Sequence, residues 1–368
     1  MSHVLVVRLD NAGDVLVAGP AVRAVAAGAD RVTLVCGPHG AAAGELLPGV
    51  DEVVTWGCPW IDPSPAPVEP AHMDALVELV RMLAPDRALV LTSFHQSPLP
   101  TALLLRLAGV PWVGAASTDY PGSLLDLRHQ PPDDLHEVER ALSLVRAAGY
   151  ELPDGDDGRL AVRPPQAPWL PWVASAPWSD GFVVLHPGAS VPARAWPEHR
   201  WQELARLLSD RGRQVVVTGG PGERALTARV AAAYGSGDVL DLGGQTTLGE
   251  LAGVLGAASV VVAANTGPAH LAAAVRTPVV SLFAPTVPFE RWRPWGVPVV
   301  ALGRGDAPCR GTRVTTCPFP GHPCLTSVAA SEACQAVEAL APQRRPSLAS
   351  PEPLEDRAVR QTVPGGTS

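Results

Sequence analysis

SVVVAANTGPAHLAAAVRTPVVSLF, residues 259–283, is the stretch from which the architecture is read. Its first apolar run, Ser259–Ala263, is short and rich in valine, which suits a strand buried on both faces. Asn265-Thr266-Gly267-Pro268 then punctuates the chain: Thr266 fits an N-cap, Gly267 bares the backbone, and Pro268 fits the first helical turn. An Ala-rich helix over Gly267–Val275 follows, and Pro278–Phe283 is a second strand. The uncharged run Leu251–Val275 is long enough to suggest a membrane span. However, Gly256, Asn265, Gly267, Pro268 and His270 interrupt it, so it reads as helix, strand, turn, helix. Strand, turn, helix, strand is the parallel crossover unit.

The same alternation extends in both directions. Towards the C-terminal half's beginning, strands are expected at Phe182–His186, Gln214–Thr218 and Asp238–Leu242, with helices at Glu198–Asp210, Glu223–Ala233 and Leu248–Gly256. In the first half the strands are His3–Leu9, Arg31–Cys36, Asp51–Trp56, Arg87–Leu91 and Pro111–Gly114. Helices lie at Val15–Ala27, Met73–Leu83, Pro98–Ala108 and Leu135–Ala148, and Tyr120–Asp133 reads as loop. Between the halves, Leu152–Asp180 is crowded with prolines. The expected organisation is a domain over 1–155, a Pro-rich linker over 156–180, a second domain over 181–341, and a disordered tail over 342–368. Each domain is an α/β doubly wound parallel sheet. Ligands of such sheets sit at the carboxyl ends of the strands, so two halves imply a site in a central cleft that they face.

Composition narrows the partners. A chain of 368 residues exceeds the usual span of one core. With 46% hydrophobic and 17% charged residues it is globular, and its net charge of −8 without a basic run argues against nucleic acid. All 28 cations are Arg, so any phosphate contact must come from Arg. With 40 Pro, 35 Gly and abundant Ala the gene reads as GC-rich and bacterial. The N-terminus MSHVLVVRLDNAGD is too charged and too short in apolar run for a signal peptide, so a cytoplasmic protein with at most peripheral membrane contact is expected. Four of six Cys fall late, at Cys309, Cys317, Cys324 and Cys334. None has CxxC spacing, so buried reduced thiols are expected, with a metal or disulfide as the alternative.

Three loops of the second half suit a phosphate. After Phe182–His186 comes Pro187-Gly188-Ala189-Ser190, then Arg194; small residues admit a phosphate to the backbone, Ser190 adds a hydroxyl and Arg194 a fork of donors. A Gly/Pro turn with a surface Arg explains the same residues. After Gln214–Thr218 comes Gly219-Gly220-Pro221-Gly222-Glu223, where Glu223 either meets ribose hydroxyls or complements a helix dipole. The third loop, Asn265–His270, presents a helix N-terminus suited to a diphosphate. His270 lies one turn in and is either a ligand or a satisfied core histidine. In the first half, Asp14 follows Gly13 at a strand-to-helix turn, where it is either a proton acceptor or an N-cap. Asp10 is the substitute base, and Arg8, Asp10 and His95, with Gln96, are candidates for the acceptor side. Asp154-Gly155-Asp156 has the form of a metal-binding DxD, but stands in the linker. His186 reads as a strand-end residue rather than a ligand.

Together these loops resemble glycosyltransferase family 9, the family of the ADP-heptose lipopolysaccharide heptosyltransferases. The similarity rests on HPGAS…RAWP, TGGPGE, Gly244-Gln245-Thr246-Thr247-Leu248 and NTGPAHLAAAVRTPVVSLFAPT. VLVVRLDNAGDVLVAGPAVRAV, Ser93-Phe94 and the late Cys-Pro…Gly-His…Cys-Leu run match as well. The resemblance implies a GT-B fold and an inverting transfer from a nucleotide-diphosphate sugar, without metal or other cofactor. The acceptor would be a glycan, a lipid-linked or a small-molecule hydroxyl. By resemblance Ser190 and Arg194 take the diphosphate, Glu223 the ribose, Asn265, Thr266, Gly267 and His270 the phosphate or sugar, and Asp14 is the base. Asn265 departs from the family, where Asp precedes Thr-Gly. The alternatives are a sugar-nucleotide epimerase or hydrolase, and a non-catalytic nucleotide-sugar binder. An NAD-linked oxidoreductase needs GxGxxG after the first strand, and LDNAGDV has none.

Overall fold

The computed structural model of the protein describes residues 2–62, 64–164, 181–232 and 239–341, with the backbone of 360–362. The chain divides into two compact units, Met1–Arg163 with Glu352–Ser368, and Pro164–Pro351.

In the first unit the strands are β1 (His3–Arg8), β2 (Arg31–Cys36), β3 (Glu52–Thr55), β4 (Arg87–Val90), β5 (Trp112–Ala116) and β6 (Leu127–His129). They pair in parallel in the order β3-β2-β1-β4-β5-β6. β1 is the central strand, and its Val4, Leu5 and Val6 are wholly buried. This is why it reads as a continuous apolar run: helices cover both faces of a parallel sheet. One core packs Leu5, Val7, Leu76, Val80, Leu105 and Val113, with Trp56 among them.

The second unit repeats the plan with β7 (Val183–His186), β8 (Val215–Val217), β9 (Val239–Asp241), β10 (Val260–Ala264), β11 (Val279–Leu282) and β12 (Val299–Leu302). The order is β9-β8-β7-β10-β11-β12, again parallel in every described pairing. In each unit the first strand is flanked by the second on one side and the fourth on the other. Strand order therefore reverses beside β1 and beside β7, the switch points at which open sheets bind ligands.

Several elements depart from the sequence expectation. The single helix expected from Val15 is two, Ala12–Val17 and Gly19–Ala27, with Pro20 in the first turn of the second. β6 lies in the segment expected as loop. β12 and the helix Ala330–Leu340, which packs Val337 and Leu340 into the core, were not anticipated. Residues 165–180 of the expected linker lie outside the described residues. Its first part belongs to the first unit, since Leu160 is wholly buried and the Arg163 amide donates to the Leu46 carbonyl at 2.7 Å. In the tail, 342–359 and 363–368 lie outside the described residues. Its Arg360–Thr362, expected without regular structure, instead forms β13, which pairs in parallel with β3 at the edge of the first sheet. Among the described residues, no helix is long and apolar enough to cross a membrane.

Candidate functional site

At the first switch point, the chain leaving β1 meets the chain leaving β4. Arg8 ends β1 and is only 3% exposed. Its Nη2 donates to Oδ1 of Asp14 at 3.1 Å and to Oγ of Ser93 at 2.9 Å. Its Nε lies 3.1 Å from Oδ2 of Asp10, as an ion pair rather than an aligned hydrogen bond. Gln96 Nε2 donates to the other Asp10 oxygen at 2.6 Å. Burial opposes the Arg8 charge, but Asp10, Asp14 and Glu137 outweigh it and raise the guanidinium above its ordinary proton affinity.

Asp14 is not the N-cap. Asn11 takes that position, without a side-chain bond, and Asp14 stands inside the first turn of Ala12–Val17. Its carboxylate keeps 20% exposure while holding Arg8, and its place within the first turn removes the capping explanation. The acceptor-side assignment of Arg8 and Asp10 meets a different geometry: both side chains turn inward onto one another. His95 is exposed and lies edge-on to Phe94 at 5.2 Å.

At the second switch point, the loops after β7 and β10 join. Arg194, at the end of the 3-10 turn Pro192–Arg194, donates from Nη1 to the Asn265 carbonyl at 3.2 Å. That contact sets a guanidinium beside the start of Gly267–Ala274. Thr266 is the N-cap residue but makes no side-chain cap, since its hydroxyl turns back towards the Ala264 carbonyl at 3.4 Å. Pro268 has no N–H, which leaves the Gly267 amide as the forward donor of this turn. Ser190 is exposed on the β7 loop.

Glu223 ends the turn Pro221–Glu223 after β8, and its Oε2 accepts from the Gly220 amide at 2.7 Å. It also lies 3.8 Å from Nε2 of His186, whose Nδ1 is 3.0 Å from the Thr218 hydroxyl. Gly188 leaves the room in which this carboxylate sits, since a Cβ would stand 1.9 Å from Glu223 Oε1. Thus loops after β7, β8 and β10 interlock at one end of the sheet. His270 is buried, 6% exposed, with its ring 6.5 Å from that of Trp292.

Asn265 explains its own departure. Its Oδ1 accepts from the Ala284 amide at 3.4 Å and its Nδ2 donates to the Ala284 carbonyl at 3.5 Å. Only an amide serves both groups, and a carboxylate would face the carbonyl with like charge. The side chain is 6% exposed and brackets β10 to the end of β11.

The DxD form dissolves on inspection. Asp156 grips Arg23 with both oxygens, at 2.6 and 2.8 Å, and pins the segment after Gly155 onto the first unit. Cys309, Cys324 and Cys334 are free thiols within the second core. Burial, with neighbouring Cys309 adding to it, pushes the Cys324 thiol up to about 12.

Three features were not read from sequence. Glu137, buried at a helix start, bears on Arg8. Trp292 stands edge-on to His270. A cavity of about 250 Å³ opens where β11 and β12 end, floored by Phe283, Val287 and Leu302 with Phe289, Glu290 and Arg310 around it. Only the apolar-aromatic spacing of Phe283-Ala284-Pro285 and Val287-Pro288-Phe289 hinted at it.

Comparison with known proteins falls on this geometry. The sequence model of "Glycosyltransferase family 9 (heptosyltransferase)" matches residues 78–322. Lipopolysaccharide heptosyltransferase 1 of Pseudomonas aeruginosa is 36% identical over 192 residues, 50% of this chain and 49% of that protein. The chain thus spans about half the length of the curated relatives it matches. The structure of E. coli ADP-heptose lps heptosyltransferase II aligns with TM-score 0.70 at 21% identity, covering 93% of this chain and 99% of that one. E. coli heptosyltransferase WaaC with ADP-2-deoxy-2-fluoro heptose gives 0.65 at 22%, covering 92% and 99%. These alignments show the fold, two Rossmann-like domains of GT-B type.

Proposed function

Because the chain belongs to glycosyltransferase family 9, we propose that it transfers a sugar from a nucleotide-diphosphate donor to an acceptor hydroxyl, with inversion and without a metal ion. The second unit takes the donor. One observation carries this: the Arg194 guanidinium is bonded to the Asn265 carbonyl, so a fixed cation stands at an uncapped helix N-terminus. A diphosphate finds there a charged fork, the Gly267 amide and the positive end of the helix dipole, with Ser190 on the same loop. Glu223 offers carboxylate oxygens to ribose hydroxyls from the β8 loop.

The first unit takes the acceptor. The acceptor oxygen attacks the anomeric carbon on the face opposite the diphosphate and gives its proton to Asp14. The carbon–oxygen bond to phosphate breaks, and its electron pair leaves on the nucleoside diphosphate, whose growing charge Arg194 and the helix start stabilise. A positioned base contributes about 10²–10⁴-fold to such a step. Donors held in advance at the leaving group do the work that a divalent cation does elsewhere.

The structurally similar heptosyltransferase II of E. coli is named for ADP-heptose, and WaaC was solved with ADP-2-deoxy-2-fluoro heptose, which makes an ADP-sugar the first donor to test. A thermal-shift panel of ADP-, GDP-, UDP- and dTDP-sugars tests the reading directly, since a ligand of the native state raises Tm by mass action. Stabilisation by an ADP-sugar that is lost in Arg194→Ala is the expected result. Release of free sugar or of an epimer as the sole product, whatever hydroxyl acceptor is supplied, overturns it.

A further inference from the structure

Arg8 is a buried guanidinium shared by two carboxylates that differ in their surroundings. Asp10 has 9% side-chain exposure, and its second oxygen is held by Gln96. Asp14 has 20% side-chain exposure. The groups facing Arg8 come from four elements: Asp10 on the loop after β1, Asp14 on the helix Ala12–Val17, Ser93 after β4, and Glu137 at the start of Glu137–Ala147. A buried charge that loses its counter-ion is strongly disfavoured. A base paired to Arg8 alone would therefore resist taking up a proton.

We propose that Asp10 is the fixed counter-ion of Arg8 and Asp14 the working one, so that Arg8 positions the Asp14 carboxylate and sets its affinity for a proton. When Asp14 takes a proton, Asp10 remains in place and the guanidinium stays paired. When the proton leaves, Asp14 returns to Nη2. Arg8 is thus a positioning residue, acting through Asp14 and not on the acceptor. This rests on the reading of Asp14 as base, and concerns what tunes it.

The two partners act on Asp14 with opposite sign. A neighbouring cation disfavours protonation of a carboxylate, and a neighbouring anion favours it. Removing the charge of Arg8 raises the pH at which Asp14 titrates. Removing the charge of Asp10 leaves more of the guanidinium to Asp14 and lowers that pH.

The experiment is a carboxyl ¹³C NMR titration of the full-length protein labelled at Asp, with the Asp14 signal identified by its loss in Asp14→Asn. The Asp14 midpoint should rise by about 1 pH unit or more in Arg8→Gln and fall in Asp10→Asn, while Arg8→Lys, which keeps the charge but not the fork, should lie nearest the parent. Midpoints that stay put in both variants, or move the same way in both, overturn the proposal. If Arg8→Gln does not fold, Asp10→Asn decides alone: a fall in the Asp14 midpoint is expected, and a midpoint that stays put or rises overturns the proposal. Release of ADP from ADP-heptose is followed separately. Undiminished turnover in Asp14→Asn defeats the base reading, whatever the midpoints show. A dead Asp14→Asn with unmoved midpoints defeats only the role of Arg8.

Discussion

His186 Nε2 lies 3.8 Å from Glu223 Oε2, with the other ring nitrogen 3.0 Å from the Thr218 hydroxyl. Burial lowers the proton affinity of this imidazole below its ordinary value of 6.5, against the opposing pull of Glu223. His3 and His129 are lowered by burial as well. In each case the unfolded chain binds the proton more readily than the folded one. Stability is therefore full above pH 6.5 and is lost as pH falls from there towards the folded values. Thermal unfolding followed between pH 8 and 5 should show Tm declining below about pH 6.5, before the carboxylates titrate. The decline should be shallower in His186→Gln.

Arg194 makes a second prediction. A charge-assisted hydrogen bond contributes about 1.5–3 kcal/mol. Arg194→Ala should accordingly weaken an ADP-sugar by roughly 10- to 150-fold in Kd, read by calorimetry. Arg194→Lys should recover part of this, since charge remains and the fork is lost. An unchanged Kd in Arg194→Ala would remove the diphosphate from this loop.

Gly188 separates binding from folding. Its Cβ would meet the Glu223 carboxylate, which is the far end of a side chain with 29% exposure and can swing aside. Gly188→Ala should therefore change stability by less than about 1 kcal/mol, in keeping with a partly exposed site. Donor affinity should fall because Glu223 leaves the Gly220 amide. A variant with full donor affinity would mean that Glu223 does not touch the nucleotide.

Asp156 and metal dependence form the fourth test. The ion pair with Arg23 is partly buried, at 16% and 10% side-chain exposure. Arg23→Ala should lose about 1.5–3 kcal/mol of unfolding free energy, from charged hydrogen bonds left unmade. It should also admit protease to the segment after Gly155. Turnover with EDTA present should equal turnover without it. Loss of activity in EDTA, restored by a divalent ion, would refute transfer without metal.

How much of this was legible in the sequence follows from the range of each interaction. The strands β1, β2, β10 and β11 are local valine-rich runs bounded by turn residues, and they were placed within a residue or two. β6 hid because Leu127–His129 is short and flanked by Pro121 and Pro131. β13 hid because Arg-Gln-Thr has no apolar signal and gains its place only by pairing with β3, far away in sequence. In the site, the loops that bear Asp14, Arg194, Glu223 and Asn265 were marked by Gly, Pro and strand ends. Their contacts were not. Nothing local says that Asn265 is answered by Ala284, that Glu223 needs Gly188 to be bare, or that Arg8 faces inward. The first two are meetings of strand ends which only the sheet order brings together, and Arg8 adds to its near neighbours Asp10 and Asp14 the hydroxyl of Ser93 from the end of β4.

β13 has a practical side. The backbone of Glu52–Thr55 would otherwise form the rim of the first sheet, and an open rim of that kind recruits other chains. Arg360–Thr362 acts as a sheath over it. A chain truncated after Leu340, as the polar tail invites, should lose that sheath and self-associate in a concentration-dependent way, read by light scattering.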